Sequence, residues 1–219
     1  MAHISPRDQD VLKKEFDQLT NPVKLICFTQ EFECQYCSMT REILTELSEL
    51  SNKISLEIYD LVKDKEKVEQ YKIDKIPATV IEGSRDYGIR YFGIPAGYEF
   101  SAIIEDIFDV SRGSTDLKGS TKDRLLELSR PIHIQIFVTP TCPYCTAAVR
   151  MAHKMAIESE LVHGDMVEAT EFPQLAVKHQ VSSVPQIVIN DSIKFVGALP
   201  EANFLAKVLE AEGTAKVTA

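Results

Sequence analysis

Cys142-Pro143-Tyr144-Cys145 repeats the motif Cys34-Gln35-Tyr36-Cys37 after 108 residues. The step Ile76-Pro77 returns as Val184-Pro185 at the same offset, so each proline follows the first cysteine of its motif by 43 residues. A repeat of this length is too long for a solenoid unit and has the size of one small domain. The sequence therefore predicts two copies of one fold within its 219 residues.

The offset changes after the prolines, because Gly93 returns as Gly197 and Phe100 as Phe204, 104 residues later. The change falls in a predicted hairpin loop, which covers residues 82–88 in the first copy and 190–192 in the second. Loops tolerate such differences in length. The change of offset is therefore compatible with the same fold in both copies.

Hydrophobic periodicity predicts an α/β fold with the same order of elements in both copies, βαβαββα preceded by one extra helix. The extra helices are predicted over residues 8–20 and 123–130. The segment 113–122 is rich in Gly, Ser and Thr, and is predicted to link a unit of residues 1–112 to one of residues 123–219. The helix after each cysteine motif carries apolar residues at helical spacing: Ile43, Leu44, Leu47 and Leu50, and then Ala148, Met151, Ala152 and Met155.

The overall composition is that of an ordinary globular protein, with 44% hydrophobic and 26% charged residues. It excludes a mainly disordered or collagen-like chain. The net charge of −9 argues against nucleic acid as the main partner. No apolar run approaches the ~18 residues of a membrane span, and no apolar signal segment is visible at the N-terminus. We therefore expect a cytoplasmic protein without a membrane partner.

The order strand, C-x-x-C, helix points to thiol–disulfide exchange. The first cysteine falls at or just before a helix N-terminus, where unpaired N–H groups and the helix dipole stabilise a thiolate. The second lies one turn further on and can resolve a mixed disulfide. We predict Cys34 and Cys142 as nucleophiles and Cys37 and Cys145 as resolving thiols. Cys27 lies alone in an apolar strand and is predicted to be a buried structural thiol.

The two X-Pro steps are predicted to bind substrate. A cis bond is uncommon even before proline, but two prolines at the same distance from two C-x-x-C motifs are a strong signal. A cis bond at Pro77 and Pro185 would turn the backbone of Ile76 and Val184 outward. The free N–H and C=O groups there could pair with an extended substrate strand.

Two further pairs of matching residues are candidates for the same groove. Gly93 and Gly197 follow the last strand of each copy, where a missing side chain either lets a substrate backbone come close or simply ends the strand. Tyr36 and Tyr144 lie inside the motifs, and either line the groove or pack over the start of the helix.

With these motifs, both halves resemble the thioredoxin fold, and Cys142-Pro143-Tyr144-Cys145 matches a glutaredoxin-type active site. The stretch Phe195-Val196-Gly197-Ala198-Leu199 is similar to the corresponding thioredoxin segment. Two tandem units, each with its own C-x-x-C and X-Pro, resemble the protein disulfide oxidoreductases, glutaredoxin-like proteins known mainly from thermophilic archaea and bacteria. Nearly the whole chain is covered by this resemblance.

The resemblance implies reduction, oxidation and isomerisation of disulfides in protein substrates, with no bound cofactor. It also implies a flavoprotein of the thioredoxin-reductase type as the electron donor. A homodimer is left open, because nothing in the sequence fixes the oligomeric state. The buried acid that thioredoxins carry six residues before the first active cysteine is missing, since Phe28 and Ile136 stand there. Glutathione is not predicted as the donor, because Gly197 is followed by Ala198 and Leu199 rather than by glycine and an acid.

The two sites are predicted to differ in their charge. Glu31 and Glu33 precede Cys34, whereas the three residues before Cys142 are uncharged. Nearby negative charge disfavours a thiolate. The sequence therefore predicts a higher thiol pKa for Cys34 and a more oxidising site at Cys142.

Three other functions fit parts of the pattern. Four cysteines could hold one zinc ion, but 104 residues lie between Cys37 and Cys142 and each pair opens its own helix. A non-catalytic module on a thioredoxin scaffold would usually lack one or both cysteines. The runner-up is an electron-transfer module that resembles the N-terminal part of flavoprotein peroxide-reducing systems. That part typically keeps one working C-x-x-C, whereas both are intact here.

Overall fold

The computed structural model describes residues 3–214 of the chain. The predicted order of elements is confirmed in both units within these residues. The elements are α1 (Pro6–Phe16), β1 (Val23–Thr29), α2 (Cys37–Glu49), β2 (Ile54–Asp60), α3 (Lys65–Gln70), β3 (Ala78–Glu82), β4 (Asp86–Phe92), α4 (Glu99–Arg112), α5 (Gly119–Leu126), β5 (Ile132–Val138), α6 (Cys145–Glu158), β6 (Val162–Glu168), α7 (Pro173–His179), β7 (Gln186–Ile189), β8 (Ile193–Val196) and α8 (Glu201–Thr214).

All the strands in residues 3–214 belong to one sheet with the order β2-β1-β3-β4-β6-β5-β7-β8. Each unit contributes four neighbouring strands, with one parallel pair and an antiparallel hairpin. Apolar side chains on both faces of the strands require cover on both sides. In β1, Leu25 and Cys27 belong to one buried cluster, while Ile26 and Phe28 belong to a second. The sheet therefore lies between two helical layers.

The two units are joined by parallel pairing of β4 with β6. Arg90 pairs with Asp165 and Phe92 with Val167 in this register. Each of these strands lies at the edge of its own four-stranded unit, and an open edge exposes unpaired backbone groups. The junction covers both edges, so the two predicted units form one continuous sheet.

A buried polar cluster forms where α4 of the first unit packs against α6 of the second. The Arg150 guanidinium makes ion pairs with Asp106 and Asp109, and its Nε lies 3.0 Å from Glu105 Oε2. Burial and the neighbouring guanidinium lower the pKa of His153 to about 3, so its ring is neutral and donates from Nδ1 to Asp106 Oδ2 at 2.6 Å. Charges buried at a junction are tolerated when they are paired in this way.

The first helix is shorter than predicted. It covers Pro6–Phe16 rather than residues 8–20. Ser5 caps its N-terminus, because Ser5 Oγ accepts a hydrogen bond from the Asp8 N–H at 3.2 Å.

The helix α5 begins at Gly119, inside the segment 113–122 that the sequence predicts as a linker. It also ends earlier than the predicted 123–130. Glu201 accounts for the early start, since its Oε1 accepts hydrogen bonds from the Lys118 N–H and from Thr121 Oγ1. A contact with a residue distant in sequence thus stabilises a helical turn in a segment of Gly, Ser and Thr. The boundaries of the two units stay predictions.

The Arg150 cluster gives the first testable prediction. Arg150→Met leaves the buried carboxylate of Asp106 without a guanidinium partner and leaves Asp109 with Arg112 alone, and should lower the free energy of unfolding by about 3–5 kcal/mol. Arg124→Met is the matched control, because Arg124 and its partner Glu127 are both more than half exposed and should change stability by less than about 1 kcal/mol. Urea unfolding measures both, and equal losses would contradict the assignment.

Candidate active sites

The first cysteine pair lies at the entrance to α2. Cys34 and Cys37 form a disulfide with a Cα–Cα distance of 5.5 Å. The helix begins at Cys37, so Cys34 lies in the turn between β1 and α2. Cys37 is 1% exposed, whereas Cys34 is only partly buried. The more accessible sulfur belongs to the cysteine predicted as the nucleophile.

The second pair repeats this geometry. Cys142 and Cys145 form a disulfide with a Cα–Cα distance of 5.5 Å, and α6 begins at Cys145. Cys142 is 8% exposed and Cys145 is fully buried. At both sites the cysteine predicted as the nucleophile is the more exposed of the two. The individual roles of the four cysteines stay predictions.

Both X-Pro bonds are cis, as predicted. Ala78, directly after Pro77, pairs with Phe28 near the end of β1, the strand that leads to the first C-x-x-C. Gln186, directly after Pro185, pairs in the same way with Phe137 in β5. The prolines and the cysteine motifs therefore lie at the same end of the sheet.

The two glycines hydrogen-bond to the prolines of their own sites. The Gly93 N–H donates to Pro77 O at 2.9 Å, and the Gly197 N–H donates to Pro185 O at 2.8 Å. Both glycines have positive φ values, 104° and 94°, which residues with side chains rarely adopt. Each site thus holds cysteines, proline and glycine in equivalent places.

The surroundings of the two glycines differ sharply. A Cβ on Gly197 would meet no atom within 4 Å, whereas a Cβ on Gly93 would lie 2.5 Å from Glu168 Cβ and 2.9 Å from Glu171 Oε1. The sequence leaves open whether these glycines let a substrate backbone come close or simply end the strand. At Gly93 a turn of the second unit lies against the glycine, because the β4–β6 junction brings that turn beside it.

The aromatic residues of the two motifs also differ. Tyr144 is 70% exposed, so it is free to contact a substrate, whereas Tyr36 packs against the buried core. Phe32, two residues before Cys34, is 82% exposed and carries no signal in the sequence pattern. A large apolar side chain in solvent beside a reactive cysteine is a candidate substrate contact.

The charges around the first site are partly compensated. Arg41 Nη1 in α2 lies 3.6 Å from Glu31 Oε1, while Glu33 is exposed. The predicted order of the two thiol pKa values stays a prediction.

Burial raises the pKa of Cys27 to about 12, so this free thiol is inert in the core, in agreement with its predicted structural role.

A buried acid that the sequence pattern does not reveal lies at the start of α4. Glu99 is almost fully buried, neither carboxylate oxygen has a hydrogen-bond partner, and burial raises its pKa to about 8.

Tyr98, the residue before Glu99, contacts both sides of the second motif. The Tyr98 N–H donates to Pro140 O at 3.1 Å, and Tyr98 O accepts from Thr146 Oγ1 at 2.9 Å. The first unit thus supports the loop that carries Cys142.

The four active-site cysteines stay in two separate pairs. Within residues 3–214, no group of three or more His, Cys, Asp and Glu side chains is arranged to hold a metal ion. The same residues contain no helix that is long and apolar enough to cross a membrane.

Comparison with known proteins agrees with this geometry. A family model described as a thioredoxin domain matches twice, over residues 25–105 and 132–210. The crystal structure of a protein disulfide oxidoreductase from Aeropyrum pernix K1 is 32% identical, with a TM-score of 0.91 over 100% of this chain and 98% of that chain. The chain belongs to the tandem thioredoxin-domain disulfide oxidoreductases. It is an oxidoreductase with two C-x-x-C redox sites.

Members of a second group are similar to this tandem thioredoxin-domain chain. A structure of the alkylhydroperoxide reductase component AhpF of Enterococcus faecalis is 26% identical, with a TM-score of 0.86 over 94% of this chain and 100% of that chain. The same component of alkyl hydroperoxide reductase in Staphylococcus aureus is 23% identical over 77% of this chain. The chain spans only 31% of the length of that relative.

The buried Glu99 gives a prediction about pH. Its pKa is higher in the folded protein than in the unfolded chain, so the folded state binds more protons and stability falls as pH rises from about 4.5 to about 8. Glu99→Gln removes this ionisation, so its free energy of unfolding should rise by a few kcal/mol relative to that of the wild type across that pH range. Thermal unfolding at stepped pH measures it. Glu66→Gln, at an exposed position of α3, should leave the wild-type pH profile unchanged, and a parallel profile for Glu99→Gln would contradict the assignment.

Proposed function

We propose that the protein catalyses dithiol–disulfide exchange on protein substrates, reducing, forming and isomerising their disulfide bonds. The observation that carries this proposal is that both units hold a complete set of paired cysteines, cis-proline and adjacent glycine. The similarity to the Aeropyrum pernix oxidoreductase over nearly the full length of both chains supports it.

The chemistry at the second site follows from the order of the two sulfurs. The Cys142 thiolate attacks one sulfur of a substrate disulfide, which forms a mixed disulfide and releases the other substrate sulfur as a thiolate. The Cys145 thiolate then attacks Cys142 Sγ and releases the remaining substrate thiolate, which takes up a proton. Two electrons have moved to the substrate, and the Cys142–Cys145 disulfide remains to be reduced.

The open groove of the second site supplies the contacts for an extended substrate strand. Val184 precedes the cis-proline and is partly exposed, as is Ile76 at the first site, and its backbone groups would pair with the substrate strand. The free space beside Gly197 admits the substrate backbone, and the exposed Tyr144 ring offers an apolar contact. At the first site, Ile76 and Pro77 have the same relation to Cys34.

Electrons are carried by the cysteine pairs themselves, without a bound cofactor, and a flavoprotein of the thioredoxin-reductase type returns both sites to the dithiol state. The protein acts in the cytoplasm. The AhpF relatives, which belong to alkyl hydroperoxide reductases, support a redox partner of this kind.

The alternative function is electron transfer within a peroxide-reducing system. The similarity to AhpF of Enterococcus faecalis, with a TM-score of 0.86, favours it. In that function the chain would pass electrons between a flavoprotein and a peroxide-reducing partner, and protein disulfides would be poor substrates. Activity on insulin disulfides separates the two functions.

Serine variants provide the test. The wild type should reduce insulin disulfides with dithiothreitol as the electron source, and should reactivate a scrambled disulfide protein. Replacing Cys34, Cys37, Cys142 and Cys145 together by serine should remove both activities, because no nucleophilic thiol remains in either motif. Cys27→Ala is the control that keeps all four motif cysteines and should keep both activities.

Two outcomes would count against the proposal. Activity that survives the loss of all four cysteines would remove the central claim. A wild type that leaves insulin oxidised, yet restores peroxide reduction to an AhpF truncated by the part that this chain resembles, would establish the alternative function.

A further inference from the structure

The turn between β6 and α7 contacts the Gly93–Ile94 segment of the first active site. Glu171 Oε1 accepts a hydrogen bond from the Ile94 N–H at 2.7 Å, one residue after Gly93. Glu168 Cβ occupies the space directly above Gly93. These contacts join the second unit to the backbone segment that closes the groove at the first unit.

The turn is held firmly by its own hydrogen bonds. Glu168 Oε2 accepts from Thr170 Oγ1 and from the Glu171 N–H, both at 2.6 Å. The Ala169 N–H donates to Val138 O at 2.9 Å, which ties the turn to the end of β5. These bonds hold the turn in its place beside Gly93.

The second site lacks such a cover among the described residues. The residues of the first site from Phe92 to Pro95 are all buried, whereas Val196 and Ala198 at the second site are exposed. The glycine that is bonded to the cis-proline is therefore covered at the first site and uncovered at the second, although Cys34 itself is more exposed than Cys142.

We propose that Glu171 is a specificity-determining residue of the first active site. It accepts the hydrogen bond of the Ile94 N–H and fills the space beside Gly93, both of which an extended protein substrate would need. The first site then exchanges with small disulfides, and extended protein chains react at the second site. This inference rests on the proposed function, since it assigns different substrate classes to the two sites. Glu171 acts by occupying the groove, and the exchange chemistry itself stays with the cysteines.

The test isolates the first site by working in the Cys142→Ser/Cys145→Ser background. Adding Glu171→Ala should raise kcat/KM for insulin disulfides about tenfold, the factor expected when one hydrogen bond no longer has to be displaced. The rate with hydroxyethyl disulfide, which is small and uncharged, should stay within about twofold.

A conservative variant separates this role from a structural one. Glu171→Gln keeps an oxygen acceptor for the Ile94 N–H, and should keep the low insulin rate. Hydrogen exchange at the Ile94 amide should be slow in the wild type and in Glu171→Gln, but fast in Glu171→Ala. Glu66→Ala, on the exposed face of α3, is the matched control and should change neither rate.

The outcomes distinguish this inference from the proposed function. If the wild type reduces insulin through the second site while Glu171→Ala leaves the first-site insulin rate unchanged, the cover has no role in specificity. Equal gains with insulin and hydroxyethyl disulfide would also overturn it, because a general gain is not selective. If the wild type reduces neither disulfide, the proposed function itself fails.

Discussion

The parallel pairing of β4 with β6 is the constraint on which the rest of the molecule depends. It aligns the two sheets side by side and brings α4 of one unit against α6 of the other. The buried ion pairs of Arg150, the support of the second motif by Tyr98 and the cover over Gly93 all lie along this junction. Without it, each unit would hold a C-x-x-C site but none of these contacts.

The junction makes two nearly equivalent sites unequal. A two-fold arrangement would have placed both sites in the same surroundings, but the two units here follow one another in the same direction. The hairpin edge of the first unit meets the second unit, while the hairpin edge of the second unit, β8, pairs with β7 alone among the strands of residues 3–214. The surroundings of Gly93 and Gly197 therefore differ, although cysteines, prolines and glycines match in both units.

Much of the fold and of the site was predictable because it depends on local patterns repeated twice. Apolar periodicity located the strands and helices, and the constant distance from Cys34 to Pro77 and from Cys142 to Pro185 predicted the cis bonds. The junction was not predictable, since an edge strand carries no local signal for its partner. The contact of Glu171 with Ile94 spans 77 residues, and the start of α5 depends on the distant Glu201. A pattern of residues that are close in sequence cannot predict either contact.

The head-to-tail order of the sheet has a consequence for assembly. The junction joins two different edges of the sheet, so this kind of pairing does not form a closed dimer. Between separate molecules it would pair β8 of one molecule with β2 of the next without limit and build a fibre. Among the strands described, β8 has four residues where its counterpart β4 has seven, and β2 carries the ionisable side chains of Glu57 and Asp60. A short edge and a charged edge hinder such growth.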